Sequence, residues 1–137
     1  MERTNVRYLE SLPDSVELIT MDVSFISVRL LLPVVHEWLT PEGQAVILIK
    51  PQFEAGKGQV GKGGVVRDPE THRQVLEDVL RFAASHGYEI KGLIPSPIKG
   101  PSGNIEFLAW LGLGSPDADF DLDQVIQVVL YEAHPEE

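Results

Sequence analysis

The chain contains no cysteine. That excludes disulfides, thiolate metal sites and any reaction that needs a cysteine nucleophile. Long apolar runs are also missing: the stretch Ala45 to Ile49 falls far short of the roughly 20 residues a membrane-spanning helix requires. No apolar stretch follows Arg3, so Met1-Glu2-Arg3-Thr4-Asn5 does not read as a secretory signal. The histidines, His36, His72, His86 and His134, are scattered and lack i, i+4 pairing. They read as surface or helix-end residues, with no metal site expected. These absences point to a cytoplasmic protein. Positive charge is scarce as well, with 11 Lys and Arg against 21 Asp and Glu and a net charge of −10.

What is present suffices for one globular domain: 137 residues, 43% of them hydrophobic. The acidic excess argues at first against a nucleic-acid partner. Its distribution weakens that objection. Asp117, Asp119, Asp121, Asp123, Glu132, Glu136 and Glu137 lie in a tail without Lys or Arg, and the remainder carries 14 acids against 11 bases, a net −3. Lys50, Lys57, Lys62, Arg67 and Arg73 lie close together along the chain. Charge therefore permits an RNA substrate without indicating one.

Val16 to Asp22 is a short apolar run ending in an acid and predicts a buried strand. From Phe25 to Leu39, Val28, Leu31, Leu32, Val35, Trp38 and Leu39 recur at helical spacing, with a kink expected at Pro33. Thr40-Pro41-Glu42-Gly43 reads as a turn, and Ala45 to Ile49 as a strand covered on both faces by helices. Gln52 to Arg67 is rich in glycine and without periodicity, so it predicts a long loop. Asp68 caps the next helix, with Pro69 in its first turn and Gly87 beyond its end. Tyr88 to Ile94 and Ile105 to Leu113 predict two strands. A final helix, Leu122 to Ala133, opens on the capping pair Asp121 and Gln124. The last two strands have no helix between them, so the final one is expected to run antiparallel. The fold class is α/β: the C-terminal half of a doubly wound, Rossmann-type sheet whose last strand runs antiparallel.

The glycine loop holds two deceptive patterns. Gly56-Lys57-Gly58-Gln59-Val60-Gly61 fits G-x-G-x-x-G, and Gly56 to Gly63 nearly fits a phosphate loop. Both motifs need the glycines to lead directly from a strand into a helix. Here the strand ends near Pro51 and the helix begins only at Asp68. A flexible surface loop is the plain reading. A lid over substrate, carrying the cations Lys57, Lys62 and Arg67, is the functional one.

Three ionisable residues sit where open α/β sheets place their sites. Asp22 closes the first strand, Lys50 closes the second, and Glu106 begins the last, which if antiparallel starts on the same rim. Burial favours the neutral form of an amine, the form a general base needs, whereas flanking carboxylates favour the charged form. The residues alone leave that balance open.

Four motifs at matching order and spacing carry a resemblance. DVSFIS (Asp22 to Ser27), IKPQFEAG (Ile49 to Gly56), VGKGGVVRDP (Val60 to Pro69) and SPIKGPSGNIEFL (Ser96 to Leu108) resemble the TlyA (haemolysin A) branch of the FtsJ-like methyltransferases. The resemblance implies S-adenosylmethionine as methyl donor and a ribose 2′-hydroxyl of ribosomal RNA as acceptor. It also implies a Lys-Asp-Lys-Glu catalytic tetrad whose last three members fall on Asp22, Lys50 and Glu106. Asp22 would in addition lie near the methionine end of the cofactor. Amine-methylating relatives carry Asp/Asn-Pro-Pro-aromatic where this chain has Asp22-Val23-Ser24-Phe25, and pyrimidine carbon-5 methylation needs the absent cysteine.

The same resemblance marks a departure. An S4-type RNA-binding domain, the first tetrad lysine and the glycine-rich cofactor loop have no counterpart in these residues. Residues 1–113 are expected to form the C-terminal part of the methyltransferase domain and 114–137 an acidic linker with a C-terminal helix. The chain alone is expected to be inactive and to bind the cofactor weakly. Its first strand becomes an open edge through which homodimerisation is expected. The alternative is a non-catalytic scaffold or partner-binding module with a methyltransferase-like half fold. Membrane lysis has little in its favour, because the polar face of the last helix is acidic.

Overall fold

A computed structural model describes residues 16–22, 27–56, 60–61, 64–100, 103–114 and 120–134. Their elements, in order, are β1 (Val16–Met21), a 3₁₀ turn (Val28–Leu30), α1 (Leu32–Trp38), β2 (Leu39–Ile49) and α2 (Pro51–Glu54). Then come α3 (Pro69–Ser85), β3 (Tyr88–Pro95), β4 (Phe107–Leu113) and α4 (Leu122–Ala133). The sheet order is β1-β2-β4-β3. β1 and β2 are parallel, and β4 runs antiparallel to both its neighbours, as the missing crossover helix requires.

Alternation along the strands decides which face holds the core. Ala45, Ile47 and Ile49 of β2 are fully buried, as are Phe107, Ala109 and Leu111 of β4. They pack with Leu31, Leu32 and Val35 around α1 and with Val75, Leu76, Val79 and Leu80 of α3. Residues Ile126, Val129 and Leu130 bring α4 into the same cluster, against α3 and β3. The intervening residues behave differently: Val46, Leu48 and Leu108 are half-buried, while Leu18, Ile94 and Trp110 are exposed. Among the described residues, then, helices cover one face of the sheet, not both faces of β2 as its apolar sequence suggested. An uninterrupted apolar run cannot by itself say whether its second face has a cover.

Local corrections follow from backbone geometry. Pro33 does not kink a long helix; it sits in the first turn of α1, where its missing N–H breaks no bond, and the 3₁₀ turn precedes it. Thr40 to Gly43 do not separate helix from strand but belong to β2, which pairs Val16 with Leu39 and Leu18 with Gln44. The register shift absorbs the turn as a bulge. Gly43 permits it, since a Cβ there would lie 2.9 Å from the Leu39 Cβ and from the Thr40 carbonyl oxygen. The start of the long glycine loop is also ordered, as the short helix α2.

The helix boundaries follow their caps. The Asp68 side chain accepts from the Glu70 N–H, and α3 stops before Gly87, whose φ of 87° suits glycine. The Asp121 side chain accepts from Gln124 N–H at the start of α4. Buried Tyr88 donates its hydroxyl to the Leu32 carbonyl at 2.5 Å, tying β3 to α1. Among the described residues, no helix is long and apolar enough to cross a membrane.

Candidate active site

Lys50 follows directly on β2, whose apolar residues carry its backbone to the rim of the sheet and leave it only 7% exposed. Its Nζ lies 2.5 Å from Asp22 Oδ1, just past the end of the parallel neighbour β1. The approach is a close charge contact outside hydrogen-bond alignment. The Asp22 side chain is 47% exposed, so the pair has a buried cationic end and a solvated anionic end.

Glu106 arrives by the antiparallel ladder. Ile49 pairs with Phe107, so the residues one step outward, Lys50 and Glu106, stand opposite each other at the same rim. Glu106 is 5% exposed. The hydrogen bond of its carboxylate goes to a residue that inspection of the sequence did not single out: Gln52 Nε2 donates to Glu106 Oε2 at 2.7 Å. The described residues of the connection, Ser96 to Gly100 and Gly103 to Asn104, lie around that carboxylate. Ser96 N–H donates to the Glu106 carbonyl at 2.8 Å and Gly100 N–H to the Asn104 carbonyl at 2.8 Å. A Cβ on Gly100 would overlap Glu106 Oε2, so the glycine lets main chain lie directly on the carboxylate.

The turn from Lys50 to Glu54 thus works as a hub. Phe53 and Glu54 N–H both donate to the Lys50 carbonyl, at 2.9 and 3.1 Å, and Pro51 starts the helix without a wasted donor. Lys50 reaches the end of β1, Gln52 reaches the start of β4, and Glu54 reaches the segment after β1. Glu54 accepts from Ser27 Oγ at 2.6 Å and from Val28 N–H at 2.9 Å. Burial pushes the Glu54 carboxyl above its ordinary value, opposed by those two hydrogen bonds and by nearby Arg29. Gln52 and Glu54 were hidden because one helical turn has no periodicity to reveal it.

The far end of the glycine loop is anchored rather than loose. Asn104, 2% exposed, accepts from Val66 N–H at 3.0 Å and donates from Nδ2 to the Gly64 carbonyl at 3.0 Å. Residues Val65 and Val66 are buried. Asn104 thereby staples two loops. His72 departs from the expected surface placement, being wholly buried in α3. Its Nε2 faces the Val66 carbonyl at 3.0 Å and its Nδ1 meets His134 Nε2 at 2.8 Å. A neutral His72 donating to Val66 and accepting from His134 satisfies both contacts. Of the expected lid cations, Arg67 is exposed, whereas Lys57 and Lys62 lie outside the described residues. Phe107 is fully buried against His72, and Phe53 is half-buried.

An α/β fold with a mixed four-stranded sheet, its last strand in sequence antiparallel to both neighbours, is consistent with an FtsJ-like methyltransferase fold. The chain belongs to the FtsJ-like methyltransferase family, which it matches over residues 1–113. It is 47% identical to YqxC of Bacillus subtilis, provisionally named an rRNA methyltransferase, over 98% of this chain and 50% of that protein. It is 44% identical to the 16S/23S rRNA (cytidine-2′-O)-methyltransferase TlyA of Mycobacterium tuberculosis, over 81% of this chain and 42% of that one. A solved structure from Streptococcus thermophilus, provisionally named a hemolysin, superposes with a TM-score of 0.80 at 42% identity, covering 98% of this chain and 51% of that one. The chain thus spans about half the length of the curated relatives it matches.

Proposed function

We propose that this chain carries the proton-handling half of an enzyme that methylates ribose 2′-hydroxyls in ribosomal RNA. The observation that supports this most is the buried Lys50 amine, paired with Asp22 at 2.5 Å and opposite Glu106 on the strand rim. A ribose hydroxyl is a poor nucleophile until its proton is removed, and a positioned amine performs that step as general base. Lys50 must give up a proton before it can take one. Asp22 and Glu106, on either side, orient the amine and hold the positive charge that appears when the hydroxyl proton arrives. The exposed cation Arg67, next to the Val66 that Asn104 anchors, offers a phosphate contact, with Lys57 and Lys62 as its companions in sequence.

The donor implied by the family is S-adenosylmethionine. Asp22 fits part of it, since its half-exposed carboxylate can meet a cationic ligand group from the solvent side while holding Lys50. When bound, S-adenosylmethionine supplies a methyl group on a sulfonium centre that an oxygen nucleophile attacks. No glycine-rich cofactor loop of the family's kind is recognisable in this sequence, so the chain alone is proposed to be inactive and to act within a longer cytoplasmic assembly.

Transfer of labelled methyl groups from S-adenosylmethionine to unmethylated ribosomal RNA tests the reading. The chain alone should transfer none, and the chain joined to the unmatched half of YqxC should be active. Lys50→Ala in the joined protein should lower the rate by about 10² to 10⁴-fold. Unchanged activity in Lys50→Ala would overturn the role of Lys50. An inactive joined protein would favour a non-catalytic module.

A further inference from the structure

The two ends of the half-buried Gln52 amide meet different surroundings. One end is committed: only Nε2 can serve the Glu106 carboxylate, which it meets at 2.7 Å. The other end, Oε1, is buried and finds no donor among the described residues. A buried carbonyl without a donor is unfavourable, and such groups call for an explanation. A methionine would occupy similar volume without that cost. Turning the amide over offers no relief, since it would set a carbonyl oxygen against the carboxylate. Nor can Glu106 easily adopt another pose, because the Gly100 main chain lies against Oε2 and the Ser96 and Gly100 bonds hold the surrounding loop.

The position of Gln52 supplies the explanation. It stands two residues beyond Lys50 on the same turn, whose backbone is fixed by the bonds from Phe53 and Glu54 N–H to the Lys50 carbonyl. Glu54, at the far end of that turn, is anchored on Ser27 and Val28. The turn therefore transmits one geometry to both the Lys50 amine and the Glu106 carboxylate. A charge-assisted hydrogen bond from Gln52 favours the ionised carboxylate and aims it.

We infer that Gln52 is a positioning residue for methyl transfer, which locks the Glu106 carboxylate in the orientation that Lys50 requires. This rests on the function proposed above. Gln52 touches neither RNA nor donor in this role; it acts through Glu106. A packing residue would change stability when replaced, and would lower activity equally at every pH. A residue that aims Glu106 through a hydrogen bond has a different signature, because its loss acts on that carboxylate and leaves KM for RNA in place.

The experiment has two arms. In the first, the side-chain carboxyl carbon of Glu106 is followed by NMR through a pH titration of this chain, as wild type and as Gln52→Met. The midpoint should move upward in the variant, which has lost the hydrogen bond from Gln52. In the second, the chain joined to the unmatched half of YqxC is assayed for methyl transfer. Gln52→Met should lower kcat by about tenfold or more, leave KM for RNA within about twofold, and move the acid limb of the kcat profile to higher pH. Gln52→Glu is similar in shape and should shift both readouts further, since facing carboxylates share a proton; it carries the test if Gln52→Met does not fold. An unmoved Glu106 titration, or a rate loss uniform in pH, would overturn the inference. A wild-type joined protein that transfers no methyl would sink the proposed function and the inference together. An active enzyme indifferent to Gln52→Met would sink the inference alone.

Discussion

The Lys50 ammonium and the Asp22 carboxylate meet at 2.5 Å across the ends of two parallel strands, with the cation buried and the anion half in water. This asymmetry separates what the pair does for the fold from what it does for chemistry. Removing the buried member leaves a carboxylate that water solvates from its exposed side, although Oδ1 itself is buried. It also removes the desolvation cost of the amine, which often rivals the attraction within a buried pair. Lys50→Met should therefore leave unfolding free energy within about 1 kcal/mol of wild type while abolishing methyl transfer in the joined protein. Chemical denaturation checks the first part, and a loss of about 3 kcal/mol or more would show that the pair is chiefly structural.

Glu54 predicts an inverted pH response. Its carboxyl is raised above the ordinary value by burial. The unfolded chain then loses this proton at lower pH than the folded one. The stabilisation tied to Glu54 is fully present below its unfolded value of about 4.3, and it is lost as pH rises through the folded value. Most acid-sensitive carboxylates act in the opposite sense. Comparing wild type with Glu54→Gln from pH 4 to 7, the difference in Tm (wild type minus variant) should fall as pH rises. A difference that grows with pH would mean that the bonds from Ser27 and Val28 outweigh burial.

Asn104 predicts a local effect as well as a global one. Its two hydrogen bonds satisfy the Val66 N–H and the Gly64 carbonyl from a side chain only 2% exposed. Asn104→Ala leaves both backbone groups without their partner, at a cost of about 2 to 4 kcal/mol. Hydrogen exchange should accelerate at the Val66 amide well before the amides in the middle of α3. Unchanged protection at Val66 would show that the staple is not what holds this end of the glycine loop.

Much of the architecture could be read from residue order. Alternation and apolar runs located the four strands of the described residues, and Asp68 with Pro69 marked the start of α3 as Asp121 marked that of α4. The antiparallel direction of β4 followed from the absence of a crossover helix. That Asp22, Lys50 and Glu106 share a rim followed from the same logic, because strand ends are where an open sheet collects polar side chains. The long helix kinked at Pro33 failed, because proline is equally at home in a first turn. The separate turn at Thr40 to Gly43 failed too, because a strand can absorb extra residues as a bulge.

What the amino-acid order determined by itself is the set of elements, their directions and the strand ends at which charge is delivered; these depend on local propensity and on period, which neighbouring residues carry. Tertiary structure alone decided which partners those charges meet. Glu106 is held by Gln52, 54 residues away, and His72 is buried against His134, 62 residues away. Asn104 joins loops whose sequences bear no mark of each other. Such contacts depend on the angles of a few side chains after the sheet has closed, and spacing along the chain does not encode that geometry.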